Sequence, residues 1–220
     1  MVVIRLLILI LISINCDATK ITDSIYWIGT PLSSGIGFAN SAKTNSSDSL
    51  FYNPAGLGTL EESSVNLSYS SIYSTDFTNL NFVAHHELLS FGIGVQLNQS
   101  SDIEKTSFDE TSNTIIETGT YNYSYSTIFF STSIKMPFIS FGYIGSTLHI
   151  HRMSIDNDTL TGESLNIGLM LRPFNFFTIG YNSYNVVPLY MRWNNTNVIN
   201  DIPVTTIHQV PSYSTVGIEI

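Results

Sequence analysis

Leu88-Leu89-Ser90-Phe91-Gly92-Ile93-Gly94-Val95-Gln96-Leu97-Asn98-Gln99 alternates strictly, with Leu89, Phe91, Ile93, Val95 and Leu97 at odd positions and Ser90, Gly92, Gly94, Gln96 and Asn98 at even ones. Successive side chains of an extended chain point to opposite faces, so this stretch predicts a strand with one apolar face and one small or polar face. Residues 164–172 repeat the pattern: Leu165, Ile167, Leu169 and Leu171 oppose Ser164, Asn166, Gly168, Met170 and Arg172. Val65, Leu67 and Tyr69 likewise oppose Asn66, Ser68 and Ser70. Weaker alternation at 77–86, 121–135, 138–152, 175–185 and 212–220 brings the count to eight candidate strands. Several reach the nine to eleven residues that a tilted strand needs to cross a bilayer, whereas strands of soluble proteins average about five or six.

Composition points the same way. The chain has 220 residues, a formal net charge of −9, 43% hydrophobic residues and only 11% charged ones. Asn, Ser, Thr, Tyr and Gly replace the usual charges, which suits a barrel with an apolar lipid face and an uncharged polar interior. Eight Lys+Arg without a basic stripe exclude nucleic acid as a partner. Tyr26, Trp27, Tyr69, Tyr73, Tyr121, Tyr123, Tyr125, Tyr181, Tyr184, Tyr190 and Trp193 fall near predicted strand ends, as interfacial girdles would. Connections at 87–88, 136–137 and 173–175 read as tight turns. Residues 100–120, 153–163 and 186–211 read as long polar loops, an asymmetry expected of the two rims of a membrane barrel.

Arg5 precedes the apolar run Leu6–Ile14, too short for a membrane helix, so residues 1–18 read as a signal peptide cleaved before Thr19. The rival reading takes Ser13-Ile14-Asn15-Cys16 as a loose lipobox with lipidation at Cys16. Either way the chain is exported, and with one cysteine it has no disulfide framework.

Between the leader and the strands lies Asp48-Ser49-Leu50-Phe51-Tyr52-Asn53-Pro54-Ala55-Gly56-Leu57-Gly58. It reads as a short strand-like apolar segment joined to a rigid reversal. Pro54 fixes its own φ and keeps Asn53 out of the helical region, while Gly56 and Gly58 supply left-handed or closely packed backbone. With Gly35-Ile36-Gly37-Phe38-Ala39-Asn40 upstream and alternating strands downstream, it resembles the amino-terminal signature of FadL-like outer-membrane proteins, including the long-chain fatty-acid channels and PorV/PorQ-type barrels.

That resemblance implies an antiparallel outer-membrane β-barrel, or partial barrel, in a diderm bacterium. Residues 19–60 would be a hatch folded into the lumen and residues 61–220 the barrel strands. Asn53, Pro54, Ala55 and Gly56 would form the hatch turn, with Phe51 and Tyr52 packed on the lumen wall. It implies passive transport or binding of hydrophobic, fatty-acid-like molecules. A secretion-accessory barrel holding secreted or surface proteins is the alternative, and a surface lipoprotein or adhesin built as a β-sandwich the third. Membrane lipid is the common partner of the first two readings.

The family pattern has about fourteen strands, and eight form a barrel that their own side chains fill, with no room for a hatch. A short or truncated member is therefore expected to form an open sheet with unpaired edges.

Covalent chemistry is not expected. No Gly-x-Ser-x-Gly elbow is present, and Gly35-Ile36-Gly37 lacks the third glycine of a dinucleotide fingerprint. His149 and His151 share a strand face and His85-His86 form a second pair, but neither has a third ligand nearby in sequence, so strand-end or loop histidines are expected rather than a metal centre. No enzyme activity and no cofactor follow from the sequence.

Overall fold

The computed structural model describes residues 30–36, 39–72, 74–109, 113–187, 189–193, 197–199, 202–204, 207–210 and 212–220. Residues 1–18, read from the sequence as a signal peptide, with Cys16, and the aromatics Tyr26, Trp27 and Tyr73 lie outside these residues.

The chain is all-β and antiparallel. Among the described residues twelve strands follow a short helical leader: β1 Ser64–Ile72, β2 Thr75–Ala84, β3 Leu89–Asp109, β4 Thr114–Lys135, β5 Gly142–Ile155, β6 Asp158–Phe174, β7 Phe177–Val187, β8 Leu189–Trp193, β9 Asn197–Ile199, β10 Ile202–Val204, β11 Ile207–Val210 and β12 Tyr213–Glu219. The main path runs β1-β2-β3-β4-β5-β6-β7-β12, with β8 and β11 attached beside β6 and β9–β10 forming a separate hairpin. These eight path strands are the eight that alternation predicts.

Pairing is antiparallel throughout; it joins sequence neighbours from β1 to β7, beginning with Ser64↔Val83, and then crosses to β12 through Tyr213↔Tyr184. No pairing joins β1 to β12 among the described residues, so the sheet is an open partial barrel with two free edges.

All three predicted long loops contain strands instead: β8, β9, β10 and β11 fall within 186–211, and the other two are strand extensions. β3 and β4 run 21 and 22 residues and pair out to Asp109↔Thr114, so residues 100–109 and 114–120 belong to one long strand pair. Residues 153–163 are the ends of β5 and β6 around a tight turn at Asp156, whose φ is +54°. Polar composition concealed these extensions, yet their Thr, Ile and Tyr residues favour extended backbone. A register shift between Ser100 and Ile103, with Asp102 at φ +56°, marks a bulge where the hairpin leaves the main sheet.

The two faces of the sheet are inverted relative to a water-soluble protein. Outward positions are apolar and exposed: Leu89, Phe91, Ile93 and Leu97 on β3, Ile128, Phe130 and Ile134 on β4, Ile144, Leu148 and Ile150 on β5. Inward positions are buried and mostly polar: Asn79 and Asn81, Ser90, Gln96 and Asn98, Thr127, Ser131 and Ser133, Thr147, His149 and His151, Ser164 and Asn166. The chain's own segment before β1 covers part of this face: Ser131 and Thr147 donate to Leu50 O, and Ser133 to Ala55 O.

That segment contains helix α1, Pro31–Gly35, a single helical turn α2, Ser49–Tyr52, and a 3₁₀ turn, Pro54–Thr59. The expected strand-like character of Leu50–Tyr52 is thus corrected to one turn of helix. The hydrogen bonds Phe51 N–H to Asp48 O and Asn53 N–H to Ser49 O are local, and all four helical side chains are buried, so no strand partner is required.

Candidate functional site

The buried apolar cluster is centred on this segment: Leu50, Phe51, Tyr52, Leu57 and Leu60 pack with Val83 of β2 and Phe129 of β4. Phe51 meets Phe129 edge-on, with centroids 4.9 Å apart at 82°. Tyr184 Oη on β7 donates to Tyr52 O at 2.8 Å. Burial pushes the Tyr52 phenol well above its usual pKa, an effect only partly offset by its contact with Ser33. Phe51 and Tyr52 therefore sit against the inner wall of the sheet.

Asn53 and Pro54 organise the junction. Asn53 is extended, at φ −144° and ψ 99°, and Pro54 opens the 3₁₀ turn that follows. The buried Asn53 side chain is used at both ends. Its Oδ1 accepts from Ala55 N–H at 3.2 Å, while Nδ2 donates to Ser41 O at 2.5 Å and to Leu169 O of β6 at 3.3 Å.

The strands meet this turn with glycines. A Cβ on Gly145 would stand 2.5 Å from the Pro54 carbonyl carbon, and one on Gly168 would overlap Asn53 Oδ1. One on Gly180 would overlap Ser41 O. Gly56 and Gly58 also serve close packing, against Ser49 and Tyr143, and neither has a positive φ.

The same segment touches both free edges. Asn66 of β1 contacts Ser47, and at the other edge Glu219 of β12 pairs with Lys43 at 2.8 Å and accepts from Thr44 N–H at 2.9 Å. Thr44 and Ser47 are three residues apart, a span of at most about 11 Å, so the sheet must curl around the segment to place both edges against it. Eight closed strands would have left no such space.

His149 and His151 lie in mid-strand on β5 and face inward, not at strand ends. His151 Nδ1 is hydrogen-bonded to Tyr125 Oη at 2.5 Å and to Thr127 Oγ1 at 3.1 Å, and its Nε2 to Ser164 Oγ at 3.0 Å; His149 Nε2 lies 3.1 Å from Asn166 Nδ2. These polar partners explain the pair as part of the buried network. No group of three or more His, Cys, Asp or Glu side chains among the described residues could hold a metal. Tyr125 and Tyr184 are similarly turned inward and do not belong to a surface girdle.

A cleft of about 470 Å³ opens between the leader segment and the inner face of β1 and β2. Thr30, Leu32, Asp48, Leu60, Glu62 and Asn81 are among its walls. Sequence reading quoted Asp48 only as the start of the turn and did not single out Asn81, because their burial beside one cleft arises only on folding. Comparison with protein-family models, curated proteins and solved structures finds no match.

Proposed function

We propose that this protein is an outer-membrane β-barrel-type protein of a diderm bacterium, exported by a signal peptide and similar to the FadL-like group. Its segment before β1 acts as a hatch within the lumen. The observation that carries this reading is the inverted sheet: its exposed face is lined with Leu, Ile, Val and Phe and its buried face with Asn, Ser, Thr, Gln and His. In water such an extended apolar surface would aggregate, whereas hydrocarbon matches it.

The connections at 85–88, 136–141 and 175–176 lie at one rim, and β3–β4 projects far beyond the other. This is the asymmetry of a barrel with periplasmic turns and an external side.

The role this arrangement supports best is passive passage or binding of small molecules with an apolar body, fatty-acid-like in the simplest case, without covalent chemistry. Leu50, Phe51, Leu57 and Leu60 supply the apolar surface inside the sheet, and displacement of the hatch would expose it. Flux of labelled fatty acid into proteoliposomes tests this role. Faster entry than into protein-free vesicles supports it, and equal entry counts against it.

A second reading, a barrel that holds secreted or surface proteins, has its own support in the β3–β4 hairpin. About ten residues of each strand exceed the membrane requirement, a projection of roughly 33 Å. Phe108, Ile115 and Ile116 are exposed near its end. Co-purification of secreted protein that is lost on deleting residues 103–120 would favour this role over transport.

A further inference from the structure

We propose that the free edge of β4 over residues 115–120 takes up an extended, basic segment of a partner protein as a third strand of the projecting β3–β4 ribbon. β2 accompanies β3 only as far as Ser100, and β5 accompanies β4 only from Tyr123 onward. Beyond these points the ribbon has two strands. Two strands alone are marginally stable in water, and a third strand or a packed apolar face is what stabilises them. Neither is present here among the described residues. Residues 114–120 are all exposed, Ile115 at 73%, and Phe108, directly opposite it in the register, is 59% exposed. Alternate residues of an antiparallel edge strand turn their N–H and C=O away from the neighbour already paired, so about half of the backbone groups of 115–120 face outward, ready for a further strand.

The two edges of the ribbon differ in charge. Along β3, Asp102, Glu104, Lys105 and Asp109 make a charged edge of the sort that resists pairing. Along β4, Ile115-Ile116-Glu117-Thr118-Gly119-Thr120 has a single charge, no proline and four β-branched residues, a composition that favours pairing. Each strand also carries a bulge, at Asp102 on β3 and at Thr118 on β4, so charge separates the edges where bulging does not.

Charge also selects the partner. Between positions 102 and 117 the sequence sets Asp102, Glu104, Asp109, Glu110 and Glu117 against Lys105, and Lys105 is itself paired with Asp156 at 2.6 Å. This ribbon attracts a segment bearing Lys or Arg and repels an acidic one. Main-chain hydrogen bonds supply the pairing, and alternate side chains supply the choice. Ile115 and Glu117 share one face of β4, so the segment sets an apolar residue beside the first and a basic one beside the second.

This deepens the reading in which β3–β4 holds secreted or surface proteins, and rests on it for the partner being a protein. The test combines equilibrium titration and hydrogen–deuterium exchange of the full chain in nanodiscs. The probe is the synthetic peptide Thr-Lys-Thr-Val-Thr-Lys-Thr-Val-Thr, which alternates Lys and Val on one face. One counterpart has Glu in place of both Lys. A second has Pro in place of two inner Thr, which keeps the charge but interrupts a ladder. Saturable binding of the first peptide on the order of tenfold tighter than either counterpart is expected. It should slow exchange in residues 115–120 on the order of tenfold, and by a larger factor than in residues 101–109. Equal binding of the Pro peptide, which is attraction by charge alone, equal binding of the Glu peptide, no saturable binding, or greater protection of 101–109 would overturn the proposal. So would protection of 115–120 before any peptide is added, the mark of a second copy or of lipid on this edge. The holding reading is judged separately: it survives any of these results if secreted protein still co-purifies through residues 103–120, and it fails if none does.

Discussion

Replacing Asn53 with Leu keeps the side-chain volume nearly constant but removes every polar contact that the amide makes. Ala55 N–H loses its acceptor, and the carbonyls of Ser41 and Leu169 lose a donor, all where Asn53 is fully buried. At about 1 kcal/mol per lost hydrogen bond, the three sum to roughly 3 kcal/mol. The bond to Leu169 crosses from hatch to β6, and those to Ser41 and Ala55 hold the hatch's own shape, so the cost falls on the docked hatch more than on the strand ladder. A loss of this size raises the population of undocked hatch on the order of 100-fold. Hydrogen–deuterium exchange by mass spectrometry reads that population directly when reclosing is fast. Peptides covering residues 48–60 should exchange on the order of 100-fold faster in Asn53→Leu, while β5 peptides stay within about threefold of the parent. Acceleration below threefold in the hatch would refute the assignment of Asn53 as its anchor. Equal acceleration throughout the sheet would show that hatch and strands open as one unit.

Gly180→Ala would drive a methyl group into the Ser41 carbonyl and should cost about 1–3 kcal/mol as overpacking, visible as a lower thermal midpoint; Gly35→Ala, where nothing lies within 4 Å, should leave the midpoint unchanged. Phe51→Ala empties a side chain that is 1% exposed and stacked edge-on against Phe129, so chemical unfolding should show a loss of about 3–5 kcal/mol. Ile93→Arg places a charge on the outward face, where a bilayer near its midplane should exact about 2–4 kcal/mol and reduce membrane assembly. The same substitution on a water-exposed face would be nearly neutral, so normal assembly and stability of Ile93→Arg would oppose a lipid-facing β3.

Much of this architecture is visible in the amino-acid order because a strand's two faces are written at period two. Leu89, Phe91, Ile93 and Leu97 announce the outward face, and Ser90, Gln96 and Asn98 the inward one. Alternation does not say how far a strand continues once both faces meet water. Residues 101–109 and 114–120 carry no such contrast, which is why the β3–β4 projection reads as a loop. The turn at Asn53-Pro54 is legible through the local restriction that proline imposes. The helical turn at Ser49–Tyr52 is not, because four residues are shorter than the helical period needed to recognise it. The purpose of Gly145, Gly168 and Gly180 appears only when the backbone at Ser41 and Asn53–Ala55 lies across them, more than 85 residues away in sequence. Asn81 is an ordinary residue in one dimension; the burial of its Oδ1 without a partner exists only after folding.

The central claim is that the apolar face of the sheet meets lipid and the polar face surrounds the hatch. With Cys16 the chain's one cysteine, replacing it and introducing single cysteines permits site-specific labelling. Phe91, Phe130 and Leu148 represent the outward face, and Ser90, Ser131 and Thr147 the inward face. An environment-sensitive fluorophore at each position, in vesicles containing a lipid-borne quencher, should be quenched strongly at the first three positions and weakly at the last three, alternating from one residue to the next. Equal quenching on both faces, or none at Phe91, Phe130 and Leu148 with the protein released by a carbonate wash, would contradict the account.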